Sequence, residues 1–153
     1  MRKLDATLRV DQITDRYDAV FVAGGHGVMW DLATSPAVAE LLSRTYRAGG
    51  VVAAVCHGPA ALVNAHKGDG TPLVAGHRFT AFSNEEETAA GLTEVVPFLL
   101  ESRLSDLGGK YEHTAKWQPF AVRDGQLVTG QNPASSRVAA QETLAAVTAR
   151  RQA

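Results

Sequence analysis

A lone cysteine ends an apolar run and is followed at once by histidine, glycine and proline: Val51-Val52-Ala53-Ala54-Val55-Cys56-His57-Gly58-Pro59-Ala60. A thiol at the tip of a buried strand can act as nucleophile, with the neighbouring imidazole as base or proton shuttle. Ala54 two residues before Cys56 and Gly58 two after it leave room for a tight strand-to-helix turn, the steric logic of a nucleophile elbow with sulfur in place of a hydroxyl. Pro59 stands where a first helical turn needs no backbone N–H. Helix N-termini and imidazoles both stabilise a thiolate, which favours a reactive Cys56 over a small buried hydrophobe. Adjacency in sequence does not fix which way His57 points.

A second group follows the apolar run Asp18–Ala23: Gly24-Gly25-His26-Gly27. Glycines after a strand are common in α/β folds. The chemical reading is an oxyanion hole, in which backbone N–H groups here and that of His57 converge on a developing alkoxide. His26 is open between substrate contact and capping of the turn. Glu85-Glu86-Glu87 suits the start of a helix, and one of the three can orient His57 as the third member of a triad; the residues alone do not choose. His66, His77 and His113 have no metal-ligand spacing among themselves or with Cys56, so no metal site is expected. Core packing is expected for Trp30 and Trp117 ahead of a place on a pocket wall.

The elements that must position these groups follow from periodicity and punctuation. Residues 2–14 carry a weak helical pattern (Leu4, Leu8, Ile13). Asp18–Ala23 and Val51–Val55 read as buried strands. Ser35-Pro36 caps a helix with Val38, Leu41, Leu42 and Tyr46 at helical spacing, stopped by Gly49-Gly50. A short helix is expected from Pro59 to Asn64, and short strands at Leu73-Val74 and Arg78–Phe82. Ser83 or Asn84 can cap the acidic helix start. Pro97 opens a further helix bearing Leu100, Leu104 and Leu107. Residues 120–122 and 127–129 flank Arg123-Asp124-Gly125-Gln126 as a hairpin, and Ala134 to Arg150 forms a closing helix. Strands alternating with helices predict an α/β fold with a mainly parallel sheet covered on both faces. In such folds ligands bind beyond the carboxyl ends of the strands, so the turns at Gly24 and Cys56 are expected to face one crevice.

At 153 residues the chain suits one domain, and its net charge of −1 gives no pull toward nucleic acid or anionic lipid. A single cysteine excludes an internal disulfide and suits a reducing compartment. No apolar run is long enough to span a bilayer, and the start Met1-Arg2-Lys3-Leu4-Asp5 lacks the apolar core of a secretion signal. A cytoplasmic location is expected.

Taken together, Ala53–Ala60, Gly24–Gly27, Asp31, Thr71-Pro72-Leu73, Phe82–Glu87, Val96–Glu101 and Thr129–Ser136 resemble the DJ/PfpI superfamily of class I glutamine amidotransferase-like proteins. The likeness is to its thirty-one-kilodalton heat-shock chaperone subgroup, and it runs from about Tyr17 to the last helix. It implies a flavodoxin-like three-layer sandwich, with Cys56 as nucleophile, His57 as its triad neighbour, and Glu87 as the acid, Glu86 being the reserve. Gly24, Gly25 and His26 would face substrate, with the N–H groups of Gly25 and His57 forming the oxyanion hole. It implies a glutathione-independent glyoxalase or protein deglycase, acting on α-oxoaldehydes such as methylglyoxal or on a glycated protein through a cysteine hemithioacetal. No metal, glutathione or nicotinamide is implied; a homodimer is. The same resemblance leaves open a stress chaperone or redox-responsive protein, or an inactive remnant. Glutaminase activity is not expected, because His113 is followed by Thr114 and Ala115 where that chemistry needs a glutamate two residues after the histidine.

Members of the family begin with a strand-helix-strand unit whose glutamate contacts the catalytic thiol. No segment before Tyr17 matches it, so residues 1–153 are expected to form one domain incomplete at its N-terminus.

Overall fold

The computed structural model describes residues 7–152. In chain order its regular elements are Ala19–Val22 (β1), Pro36–Arg47 (α1), Val51–Val55 (β2), Arg78–Phe79 (β3) and Asn84–Ala89 (α2), then Leu100–Asp106 (α3), Lys110–Tyr111 (β4), Ala121–Asp124 (β5), Leu127–Gly130 (β6) and Ser136–Arg151 (α4). The main sheet has the order β1-β2-β6-β5. Its first three strands are parallel and β5 runs antiparallel to β6. β3 and β4 form a separate parallel pair.

β2 is buried along its whole length, and its alternation divides the core. Val52 and Ala54 pack with Val38 and Leu42 of α1 and with Leu62, Phe79 and Leu104. Val51 and Ala53 pack with Val128 and Ala146 of α4 on the other face, and Val55 with Ala139. Successive side chains of a strand point to opposite faces, so an unbroken apolar run is what a strand needs between two helical layers. The α/β class and the mainly parallel sheet agree with the sequence reading. The Ser35 cap agrees too: its hydroxyl accepts from Val38 N at 3.3 Å, with Pro36 in the first turn. So does the β5–β6 hairpin, turned at Gly125 with φ 61°.

Several boundaries differ from expectation. The helical pattern over residues 2–14 yields, within the described part, only a single turn at Val10–Gln12; residues 2–6 lie outside the described residues. Pro59–Asn64 is a tight 3-10 segment, Gly58–Leu62, whose first residue abuts the β1 backbone at Val22 O. Leu73 and Val74 are not a strand but a buried turn, in which Ala75 N donates to Pro72 O and His77 N to Val74 O. Only Arg78–Phe79 of the expected strand Arg78–Phe82 pairs. Pro97 does not open α3, because Phe98 and Leu99 pack against the core in non-helical backbone and the helix begins at Leu100. The last helix is preceded by a separate turn, Pro133–Ser135. Among the described residues no helix is long and apolar enough to cross a membrane.

Candidate active site

Val22 lies opposite Ala54 in the β1–β2 pairing, so the chain leaves both strands at the same level and the two turns meet. Cys56 takes φ 62°, a left-handed conformation in a non-glycine residue. Such backbone is strained by about 1–3 kcal/mol and persists only where its surroundings fix it. Here they do: Cys56 N donates to Gly130 O at 2.9 Å, and Cys56 O accepts from Phe82 N at 3.0 Å. The turn closes only because its neighbours lack side chains. A Cβ on Gly24 would lie 2.6 Å from Val55 O and 2.8 Å from the Cys56 Cβ, and one on Gly58 would collide with Val22 O. This is the elbow that the spacing of Ala54, Cys56 and Gly58 predicts.

The thiol faces an imidazole. Cys56 Sγ lies 3.3 Å from His57 Nδ1, and on the far side of the ring His57 Nε2 lies 2.8 Å from Glu87 Oε2. Glu87 reaches this point because Ser83 caps α2. The Ser83 hydroxyl accepts from Glu86 N at 3.0 Å, while the Glu86 carboxylate accepts from Ser83 N at 3.0 Å. That reciprocal box fixes the first turn of α2 and points Glu87 inward, 2% exposed beside a His57 with no exposed surface. The second oxygen, Glu87 Oε1, lies 2.8 Å from His26 Nε2. The rings of His26 and Phe82 lie 3.9 and 4.3 Å from that of His57.

Burial sets the charge state. It pushes the Cys56 thiol up to about 11; the backbone N–H groups of His57 and Gly25 pull the other way, and the Glu86 and Glu87 carboxylates push further up. Burial also lowers His57, against the pull of its hydrogen bond to Glu87. Burial thus disfavours the charged form of both the thiol and the imidazole. The geometry suits concerted transfer, in which S–H gives its proton to His57 Nδ1 as sulfur attacks.

A cleft of about 480 Å³ opens over the thiol, walled by Ala23, Gly24, Gly25, His26, Val55, Cys56, Phe82, Ala90, Trp117, Pro133 and Ser136. Its lining is mainly apolar, and among the described residues Cys56 and His26 are its only titratable side chains. Trp117 does not pack in the core as expected but stands half-exposed on the cleft wall, 5.6 Å from the Phe82 ring; Trp30 is exposed as well. No carboxylate upstream of Cys56 among the described residues lines the cleft, and Asp5 lies outside the described residues.

A profile of the DJ-1/PfpI family matches residues 2–146. The chain belongs to the DJ-1/PfpI family. Among curated DJ-1/PfpI relatives it is 34% identical over 139 residues to the glutathione-independent glyoxalase HSP31 of Saccharomyces cerevisiae, covering 87% of this chain and 59% of that protein. It is 34% identical over 136 residues to glyoxalase 3 of Candida albicans, covering 85% of this chain and 58% of that one. Superposition on the crystal structure of the Candida albicans glyoxalase III gives a TM-score of 0.81 at 33% identity, over 85% of this chain and 57% of that one. The 24 kDa rapid encystment protein of Francisella tularensis gives a TM-score of 0.83 at 36% identity, over 92% and 60%. The chain thus spans somewhat under two thirds of these relatives.

In this DJ-1/PfpI chain the three adjacent glutamates have separate fates. Glu87 meets His57. Glu85 is exposed and pairs with Lys116 at 3.0 Å. Glu86, the expected reserve, is fully buried but turned away: its carboxylate accepts from Ser83 N, from Trp117 N at 2.8 Å and from Asn132 Nδ2 at 2.8 Å. It therefore ties the Trp117 loop and the segment after β6 to α2. The Ser83-x-x-Glu86 spacing was the available signal, since a capping box commits its fourth residue to the cap. The roles of Asn132 and of the Trp117 loop had no such signal, because they are set by contacts distant in sequence.

His26, His57 and Glu87 also offer three ligand atoms within 4.8 Å of one another, a grouping that the spacing of the histidines does not reveal. Each histidine Nε2 lies 2.8 Å from a Glu87 oxygen, a hydrogen-bond distance.

Proposed function

We propose that this chain carries the thiol chemistry of a glutathione-independent glyoxalase, converting a small α-oxoaldehyde such as methylglyoxal to its hydroxy acid. One observation carries the reading: the Cys56 thiol faces His57 Nδ1 at 3.3 Å while the opposite nitrogen of the same ring meets buried Glu87 at 2.8 Å. The names of the yeast relatives support it.

Sulfur attacks the aldehyde carbon as His57 Nδ1 accepts the thiol proton. Glu87 stabilises the resulting imidazolium, as the acid of a triad does. The alkoxide oxygen takes the place of the sulfur charge in front of the N–H groups of Gly25 and His57, which already act on that sulfur. Donors fixed in a dry site act without reorganising, and each such donor contributes about 10²–10³ in rate. His57 returns the proton to that oxygen to complete the hemithioacetal, which isomerises to a thioester of the 2-hydroxy acid; water then releases the acid and restores the thiol. Because the protein supplies the thiol, the reaction needs no glutathione.

A redox-responsive role draws less support. Sensor cysteines combine low pKa with exposure, whereas Cys56 is pushed up to about 11 and is buried. The test is lactate formation from methylglyoxal in glutathione-free buffer. Native protein is expected to form lactate and Cys56→Ala to form none; undiminished activity in the variant overturns the reading.

A further inference from the structure

Among the described residues, Cys56 and Trp117 are the two non-glycine residues with left-handed backbone, Trp117 at φ 67°. A bulky side chain avoids that conformation, and it persists only where the surroundings impose it. Here buried side chains grip the backbone of residues 114–120. Gln131 Oε1 accepts from Thr114 N at 2.9 Å, and Gln131 Nε2 donates to Thr114 O at 3.2 Å. Glu86 Oε1 accepts from Trp117 N at 2.8 Å, Asn132 Nδ2 donates to Gln118 O at 2.8 Å, and Ser135 Oγ accepts from Phe120 N at 3.0 Å. Gln131, Glu86, Asn132 and Ser135 are all fully buried. Buried polar groups are costly unless paired, and these four are committed to one short segment. What that segment presents to the cleft is an indole.

The indole stands on the wall that carries the thiol. Its ring lies 5.6 Å from that of Phe82. Phe82 in turn lies 4.3 Å from the His57 ring and packs with Cys56. An aromatic surface therefore runs from the sulfur outward to Trp117, flanked in the cleft by Ala90 and Pro133.

We infer that Trp117 determines specificity: its indole is a fixed wall that favours α-oxoaldehydes carrying an aromatic or bulky apolar substituent on the ketone carbon, C2. With the aldehyde carbon, C1, bonded to sulfur and its oxygen at the N–H groups of Gly25 and His57, that substituent lies along Phe82 and Trp117. Aromatic rings meet such a surface offset-stacked or edge to face, which adds to the gain from burying their area. The anchors sharpen the preference, because an indole already held in place loses little freedom when substrate arrives. Glyoxal carries only hydrogen at its second carbon and has nothing to place there.

The proposal rests on the glyoxalase reading, and a substrate series separates the two. Formation of glycolate from glyoxal, lactate from methylglyoxal and mandelate from phenylglyoxal is measured for native protein, Trp117→Phe and Trp117→Asn. Asparagine tolerates left-handed backbone, so Trp117→Asn removes the ring without adding strain. Native protein is expected to favour phenylglyoxal over glyoxal in kcat/KM by about 10-fold or more. Trp117→Asn is expected to lower that ratio about 10-fold or more, chiefly by raising KM for phenylglyoxal, and Trp117→Phe, which keeps a flat ring, to lower it less. A loss in Trp117→Asn that is equal for both substrates leaves the ratio at its native value and overturns the proposal. So does a native ratio near unity, a result that needs no variant. If native protein converts none of the three aldehydes, the glyoxalase reading falls and the proposal with it.

Discussion

His57 Nε2 and Glu87 Oε2 lie 2.8 Å apart with almost no solvent exposure on either side chain. A hydrogen bond that gains charge in such a place is worth more than a neutral one, about 1.5–3 kcal/mol against about 1. The gain appears only when His57 becomes imidazolium, which is when sulfur has given up its proton.

That relationship sets the expected cost of losing the carboxylate charge. Glu87→Gln is expected to lower kcat for methylglyoxal about 10- to 100-fold, matching the charged hydrogen bond it weakens. Glu87→Ala is expected also to lower stability by about 2 kcal/mol or more, because the sealed His57 donor is left without a partner. Steady-state kinetics and urea unfolding of the two variants check this.

The titration of Cys56 gives a prediction with a definite sign. Its folded pKa, about 11, exceeds the ordinary thiol value. Its contribution to stability is then fully present below the unfolded thiol pKa and is lost as pH rises toward 11. Thermal melts should show native protein losing stability between pH 9 and 11 more steeply than Cys56→Ala. Iodoacetamide alkylation should still be accelerating above pH 9; a plateau below pH 8 contradicts the assignment.

His57 moves the other way. Burial lowers its pKa, so it stays a competent proton acceptor below the ordinary histidine range. The acid limb of kcat/KM is expected under pH 6.5. Stability linked to this ring is present above the unfolded histidine pKa and lost as pH falls through the depressed folded value. A pH–rate profile from pH 4.5 to 8 checks the first part, and a limb centred above pH 7 contradicts it.

The elbow makes a steric prediction. Gly58→Ala places a methyl group against Val22 O, backbone that cannot rotate away. Overpacking of this kind costs about 1–3 kcal/mol. Because the displaced strand end leads into Gly24 and Gly25, activity should fall along with stability. Equilibrium unfolding and lactate assays on one preparation measure both.

Much of this was legible from residues whose physics is local. The unbroken apolar run of β2 announced a strand covered on both faces, Ser35-Pro36 announced the start of α1, and Ala54, Cys56 and Gly58 announced the elbow. The fates of the glutamates were legible only in part: the capping box commits Glu86 and fixes the turn that carries Glu87, but that this turn lies beside His57 is set by contacts distant in sequence. Two features were invisible. His26 and Glu87 meet only because β1, β2 and the start of α2 end at one level. Burial pushes the Cys56 thiol up against the pull of the His57 and Gly25 N–H groups, in a cluster with Phe82 and Ala139 that no local pattern announces. Leu73-Val74 misled because a short buried apolar pair looks the same in a turn as in a strand.

The account stands most directly on the covalent step at Cys56. Methylglyoxal turnover in glutathione-free buffer, run with hydroxylamine present, intercepts a lactoyl thioester as lactohydroxamate. Native protein is expected to yield lactohydroxamate at the expense of lactate, and Cys56→Ser to yield neither. Lactate formed by Cys56→Ser at the native rate contradicts the account.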